Sequence, residues 1–399
     1  MRELSNRMLE MKESSVRKLT KYGNAAEAAG KYVYKLNIGQ PDLKTPVEYY
    51  RRVRSFDDPV IEYMPSNGTQ KLIGAVEKFY RETGINIKKN HIAVTTGGSE
   101  AMLFALLAIA NPGDEAIVLE PYYSNYSTFF SISGMKPVAV RTLASKGFHV
   151  DIPLLETALS PKTKAIIVTN PGNPTGAVLS KREIQEIADF AVRNDLFIIA
   201  DEVYREIVFD NREMSSFGFL EDIWDRLIII DSVSKRFNAC GARIGFLISK
   251  NKEIMKLVSK LCQGRLAVST IEQEAALGLF ESGQRTIQQI RNEFQKRRDA
   301  VYDSLMEIPG VVCQKPEGAF YLIAELPVER ANDFLIWMLE HFDDEGETVM
   351  AAPADGFYLN SEFGHRQIRI AYVLEPEKLR HAIGLLGKGL SQYLQRVGK

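Results

Sequence analysis

The chain has 399 residues, 45% of them hydrophobic and 25% charged, an ordinary globular composition with room for two domains. Fifty Lys+Arg against 51 Asp+Glu leave a formal net charge of -1, so no overall field points to nucleic acid or to an anionic membrane. Cys240, Cys262 and Cys313 are far apart with no CxxC pair, and the scattered histidines form no HExxH. These features predict a reduced, cytoplasmic protein without structural disulfides or a metal site. The N-terminus, rich in Arg, Lys, Glu and Ser, shows no signal peptide pattern, and the longest apolar run, Ala101–Ala110, is too short to span a bilayer.

Residues 1–35 read as one amphipathic helix followed by an Ala-rich polar segment, and Leu36–Asp42 as a short strand entering a Gly/Pro loop at Gly39. The turn-rich stretch Tyr63–Gly68 precedes a helix over Gln70–Thr83. Ile92–Thr95 is a strand that ends in Thr96-Gly97-Gly98-Ser99-Glu100, and a buried helix continues through Ala101–Ala110. A strand, a glycine pair and a serine at a helix start offer free backbone N–H groups to an anion; the simpler alternative is a serine N-cap. Glu115–Leu119 is a strand, with Tyr122, Tyr123 and Tyr126 beyond its end, where a ring either stacks on a planar ligand or packs in the core. Met135–Leu143 is a further strand, and Ile152–Ser160 is a short helix.

Ala165–Thr169 is a buried strand that runs into Asn170-Pro171-Gly172-Asn173-Pro174-Thr175-Gly176, a rigid loop able to fix the Asn173 amide. Ser180 and Glu183 form a capping box for a helix over Ser180–Asn194. Phe197–Ala200 is fully apolar and leads into Asp201-Glu202-Val203-Tyr204, and a carboxylate at the end of a buried strand needs a partner. Leu227–Ile230 leads into Ser232, Ser234 and Lys235, and Arg243–Ile248 reads as the next strand. Lysine is rarely buried unless paired or used, and ligands of open α/β sheets bind beyond the carboxyl ends of the strands. Lys235 is therefore where a reactive amine is expected; the simpler alternative is a strand-to-loop junction whose lysine reaches solvent.

Alternating strands and helices predict an α/β fold: a large domain, residues 45–280, with a mostly parallel, doubly wound sheet. Helices over Asn251–Cys262 and Ile271–Leu305 follow it. The strands Val311–Val312, Ala319–Ala324, Val349–Ala352 and Gln367–Val373, with helices over Asn332–His341 and Pro376–Gln395, predict a smaller α+β domain built from residues 1–44 and 281–399. Arg369 lies in the last of these strands, facing either solvent or a cleft.

An amine, a carboxylate, an amide, a phenol, a stacking ring and an anion cradle together suit pyridoxal 5'-phosphate. On Asn173-Pro174-Thr175-Gly176, Asp201-Glu202-Val203-Tyr204, Ser232-Val233-Ser234-Lys235, Arg243-Ile244-Gly245 and Arg369, in that order, nearly the whole chain resembles the fold type I, class I/II aminotransferases, most of all the bacterial aspartate aminotransferase group. The resemblance implies a large domain with a seven-stranded-type sheet. It implies Lys235 as the point of covalent cofactor attachment, Asp201 against the pyridine nitrogen, Asn173 and Tyr204 on the 3' oxygen, and Tyr123 on the ring face. Ser232, Arg243 and the N–H groups of Gly98 and Ser99 would take the phosphate. Tyr63 would reach the phosphate of a neighbouring subunit in a homodimer. Arg369, assisted by Gly39 and Asn173, would hold the substrate α-carboxylate as a bidentate fork.

The implied reaction is ping-pong amino transfer between an L-amino acid, aspartate first, and a 2-oxo acid, with 2-oxoglutarate as the expected acceptor. One branch of that group carries a lysine just after the Gly-Gly pair for a second substrate carboxylate; here Ser99 stands there, and Arg265 is the alternative cation or else a surface helix charge. Alanine, aromatic or broad specificity, and C–S lyase chemistry on the same fold, are the competing activities. A DNA-binding sensor of this fold is disfavoured by length and charge, and a nicotinamide oxidoreductase by the lack of a GxGxxG after any strand.

Overall fold

The computed structural model describes residues 4–9, 11 and 14–398. The expected N-terminal helix falls partly outside these residues. Where described, the segment is broken: a turn of helix at Asn6–Leu9, a 3₁₀ turn at Ser15–Arg17 and a helix at Thr20–Ala28. β1 is Tyr32–Lys35, so the strand expected over Leu36–Asp42 lies earlier, and that stretch is loop.

The central sheet has seven strands: β2 (Ile92–Thr95), β3 (Glu115–Glu120), β4 (Lys136–Arg141), β5 (Thr163–Thr169), β6 (Phe197–Asp201), β7 (Leu227–Ser232) and β8 (Gly245–Ile248). They lie in the order β2-β8-β7-β6-β5-β3-β4, and only β8 runs against the others. Strands buried on both faces lose the apolar/polar alternation and become apolar throughout. Their side chains still alternate between two cores. Ile117, Ile166, Ile198 and Ile229 enter one, and Val118, Ile167, Ile199 and Ile228 the other.

A second, antiparallel sheet is built from β9 (Val312–Cys313), β10 (Tyr321–Glu325), β12 (Ala352–Pro353) and β13 (Gln367–Ala371), in the order β12-β13-β10-β9. β11 (Glu347–Met350) pairs in parallel with β1, which ties the N-terminal segment to the C-terminal third of the chain. The helices Thr20–Ala28, Gly283–Met306, Ala331–Glu340 and Pro376–Arg396 share a third core with these strands, through Ala26, Phe294, Phe334 and Leu386.

Several expectations are corrected. The helix expected as one piece over Ile271–Leu305 is two, Thr270–Glu281 and Gly283–Met306, broken where Gly283 takes φ +74°. Val47–Arg54 is an unexpected helix. It lies so close to Thr270–Glu281 that a Cβ on Gly278 would stand 2.4 Å from the Glu48 carbonyl oxygen. Tyr126–Ser133 is also helical, although its Tyr, Thr, Phe and Ile content favours strands. Packing against Gly97–Ile109 overrides that preference, and Gly134 ends the helix at φ +77°. Arg243 belongs to a turn before β8, not to the strand. Among the described residues no helix is long and apolar enough to cross a membrane.

Candidate active site

Five parallel strands point their carboxyl ends at one cleft, and antiparallel β8 brings its amino end to the same edge. The cleft holds about 240 Å³. It collects Gly39, Gly98, Ser99, Tyr123, Asn173, Asp201, Tyr204, Ser232, Lys235, Arg243 and Arg369. Of the residues given a role from sequence, Tyr63 and the alternative cation Arg265 stand outside it; Tyr63 is 84% exposed in the single chain.

Asp201 closes β6 and is buried. Burial disfavours the charged carboxylate and pushes it up to about 6, against the pull of the Tyr126 hydroxyl and the Val203 N–H. Tyr126 Oη donates to Asp201 Oδ2 at 2.5 Å and also lies 2.9 Å from Thr169 Oγ1. Lys235 sits in a single helical turn, Val233–Arg236, capped by Ser232, whose Oγ accepts from the Ser234 N–H. Its Nζ donates to the Gly39 carbonyl at 3.1 Å and lies 3.8 Å from Cys240 Sγ.

The residues following Asp201 and Lys235 turn the other way, into a buried charge network. Glu202 meets Arg205 at 3.1 Å, and Arg205 meets Glu206 at 3.0 Å. Arg236 meets Glu206 at 3.1 Å and also bonds Asp231, which accepts from Tyr80 Oη at 2.7 Å. Asp201 and Lys235 are thus each followed by a residue locked in that network.

The anion cradle expected from the sequence would lie where the helix Gly97–Ile109 starts. Thr96 is the N-cap residue but makes no side-chain cap bond; the Glu100 carboxylate accepts the Thr96 N–H instead. Ser99 is therefore a first-turn residue and not the cap. Arg243, at φ +51°, lies over this start so closely that a Cβ on Gly97 would be 2.4 Å from its Nη2. A left-handed arginine costs backbone energy that surrounding structure must offset.

Arg369 is 2% exposed. Of the two alternatives left by the sequence, it takes the cleft. Nη1 donates to Asn173 Oδ1 at 3.1 Å and Nη2 to the Asn37 carbonyl at 2.6 Å, while Nε is buried without a partner. Tyr321 and Phe357 lie against its faces, 4.4 and 5.0 Å from ring centre to guanidinium carbon. Tyr204 Oη donates to Tyr321 Oη at 3.0 Å, and a Cβ on Gly39 would stand 1.7 Å from that same oxygen. Gly39 is thus required by close approach of the tyrosine.

Sequence reasoning missed Tyr126, Tyr321, Asn37, Cys240 and Arg17, all but Asn37 on the cleft wall. Tyr126 carried a signal, since it belongs to the aromatic group beyond β3; the others carried none. Arg265 corrects both readings offered for it: it is outside the cleft, and it is no surface charge. Its Nη2 donates to the carbonyls of Ser66 and Val94 at 3.1 and 3.2 Å.

This donor set fits pyridoxal 5'-phosphate: an amine for an aldehyde, helix-start N–H groups and an arginine for a phosphate, and a buried acid without a cation for a ring nitrogen. The family model for aminotransferase class I and II matches residues 31–386. The aromatic-amino-acid aminotransferase 2 of Thermococcus litoralis is 32% identical over 397 residues, 98% of each chain. The aspartate aminotransferase of Pyrococcus abyssi is 32% identical over 398 residues, again 98% of each. Among solved structures, aspartate aminotransferase from Thermus thermophilus with maleate superposes with a TM-score of 0.89 at 29% identity, covering 98% of this chain and 100% of that one. The chain belongs to the class I and II aminotransferases, pyridoxal-phosphate-dependent enzymes of fold type I.

Proposed function

We propose that this aminotransferase moves an amino group between L-aspartate and a 2-oxo acid, with 2-oxoglutarate as acceptor, in ping-pong order. The observation that carries an amino-acid substrate is Arg369: a buried guanidinium, bonded only to neutral oxygens, with Nε free to complete a fork. A buried charge without a counter-charge is costly, and a substrate α-carboxylate supplies one. Asn173 and the Asn37 carbonyl hold the fork in plane while it waits.

When bound, pyridoxal 5'-phosphate supplies an electrophilic aldehyde and a ring that accepts electrons from the substrate α-carbon. Lys235 is the residue that would hold it covalently. Gly98, Ser99, Ser232 and Arg243 would take its phosphate, Tyr123 its ring face, Asn173 and Tyr204 its 3' oxygen, and Asp201 its ring nitrogen. Lys235 Nζ, when free, would be the base that takes the proton from the substrate α-carbon. Asp201, as a carboxylate, would favour the protonated form of that ring nitrogen. The Tyr204–Tyr321 pair forms one side of the cleft.

The exposure of Tyr63 supports a homodimer in which it reaches the partner's cofactor phosphate, and the free thiols suit a cytoplasmic enzyme. The division into residues 45–280 against residues 1–44 and 281–399 goes with this reading, supported by the separate cores of the two sheets. A second reading, an aromatic or alanine donor, is favoured by Met102 and Phe129 on the cleft wall. A panel of amino donors with 2-oxoglutarate, scoring both products, tests the proposal. Aspartate is expected to give the highest kcat/KM, with parallel double-reciprocal plots. Preference for a neutral donor, or intersecting plots, rejects it. Lys235→Ala is expected to abolish transfer.

A further inference from the structure

The cleft wall carries four cations, Arg17, Lys235, Arg243 and Arg369, against one carboxylate, Asp201. Three of the four have duties under the function proposed above: Lys235 is the reacting amine, Arg243 faces the phosphate cradle, and Arg369 awaits the α-carboxylate. Arg17 has none, and among the described residues it forms no ion pair. Its neighbour Lys18 is different, bonded to Asp355 at 3.1 Å away from the cleft.

Arg17 is also held in register with the α-carboxylate fork. The Asn37 side chain donates through Nδ2 to the Val16 carbonyl at 3.0 Å, while the Asn37 carbonyl accepts from Arg369 Nη2 at 2.6 Å. One asparagine therefore grips both Arg369 and the peptide bond that begins Arg17. Ser15, buried beside Arg17, packs so tightly on Gly356 that a Cβ there would lie 2.4 Å from the serine Cβ. The 3₁₀ turn Ser15–Arg17 is thus a seated element that carries a guanidinium to the cleft.

We propose that Arg17 binds the second carboxylate of a dicarboxylic amino acid or 2-oxo acid, making the N-terminal turn the element that selects acidic substrates. This rests on the dicarboxylic part of the proposed function and names the residue that enforces it. Ser99 cannot supply the charge, and Arg265 is committed elsewhere. The backbone that carries Arg17 is tied to Arg369 through Asn37, so the turn offers a planar fork to a second carboxylate on the same cleft wall as the α-carboxylate site.

The test compares wild type with Arg17→Gln and Arg17→Lys. It uses single-turnover reactions with aspartate and with alanine, and spectral titration with maleate. In Arg17→Gln the ratio of kcat/KM for aspartate over alanine is expected to fall on the order of 10- to 100-fold, with maleate weakened by a similar factor. Arg17→Lys is expected to recover part of both. Wild-type preference for aspartate that survives in Arg17→Gln overturns the assignment while leaving the proposed function standing. Equal losses on both donors overturn it in favour of a merely structural turn. A wild type that reacts with alanine and with no dicarboxylic substrate removes the dicarboxylic reading and Arg17 together.

Discussion

Tyr126 Oη donates a hydrogen bond to the buried Asp201 carboxylate at 2.5 Å. Burial alone would leave Asp201 a weaker acid, and the phenol moves it back towards the carboxylate. Tyr126→Phe removes that support and keeps the ring. In the cofactor-free protein the Asp201 carboxyl is expected to titrate above about 6, so more of it is protonated at pH 6 than in wild type. In the loaded enzyme kcat is expected to fall by about 10- to 100-fold, the worth of one hydrogen bond to a charged group. Titration of the carboxyl without cofactor and turnover with it check this; an unchanged titration with lowered turnover would show that the phenol acts only by shape.

The same carboxyl gives the cofactor-free protein a pH-dependent stability. Its folded value is raised from 3.8 to about 6, so the folded state binds the extra proton between these limits. Stability from this group is present at low pH and is lost as pH rises through about 6, amounting to about 3 kcal/mol for about two units. Asp201→Asn should abolish the term. The stability difference between Asp201→Asn and wild type, measured by urea unfolding without cofactor, is expected to move in favour of the variant by roughly that amount from pH 4 to pH 7. A constant difference would count against it.

Arg236 and Arg226 offer a contrast in where a charge sits. Arg236 is 1% exposed and pairs with Asp231 and Glu206, both buried. Arg226 pairs with Asp195, which is 99% exposed. Arg236→Met leaves Asp231 and Glu206 with Arg205 as their shared cation, and the loss of one buried positive charge is expected to cost about 3 kcal/mol. Arg226→Met breaks a surface pair and is expected to cost at most about 1 kcal/mol. Urea midpoints of the two variants under identical conditions decide it.

Gly97 sits at φ +75°, with Arg243 Nη2 only 2.4 Å from where a Cβ would stand. Gly97→Ala must strain the backbone or push the guanidinium off the helix start, at about 1–3 kcal/mol. Pyridoxal phosphate is expected to bind about tenfold more weakly or worse, as measured by equilibrium dialysis. Unchanged affinity would separate Arg243 from the phosphate.

By itself the sequence determined what local chain physics controls. Apolar runs too short and too uniform for helices became β5, β6 and β7, because strands covered on both faces carry no polar side. The residues just past those strands were readable as a site, because a strand end places its next residues at the sheet edge whatever packs elsewhere. Asn173, Asp201 and Lys235 were found that way. The capping box at Ser180 and Glu183 was equally local.

Only the tertiary structure decided the contacts that cross the chain. Tyr204 meets Tyr321 across 117 residues, and Arg369 meets Asn37 across 332. Neither Tyr321 nor Asn37 carries a local mark, since each gains its role from a partner brought by another sheet. Arg369 could face water or the cleft on pattern alone, and Arg265 could be read as a surface charge; packing of distant backbone settled both. Two helices were missed for the same reason: Tyr126–Ser133 and Val47–Arg54 exist because neighbours cover them, and that energy is not written in their own residues.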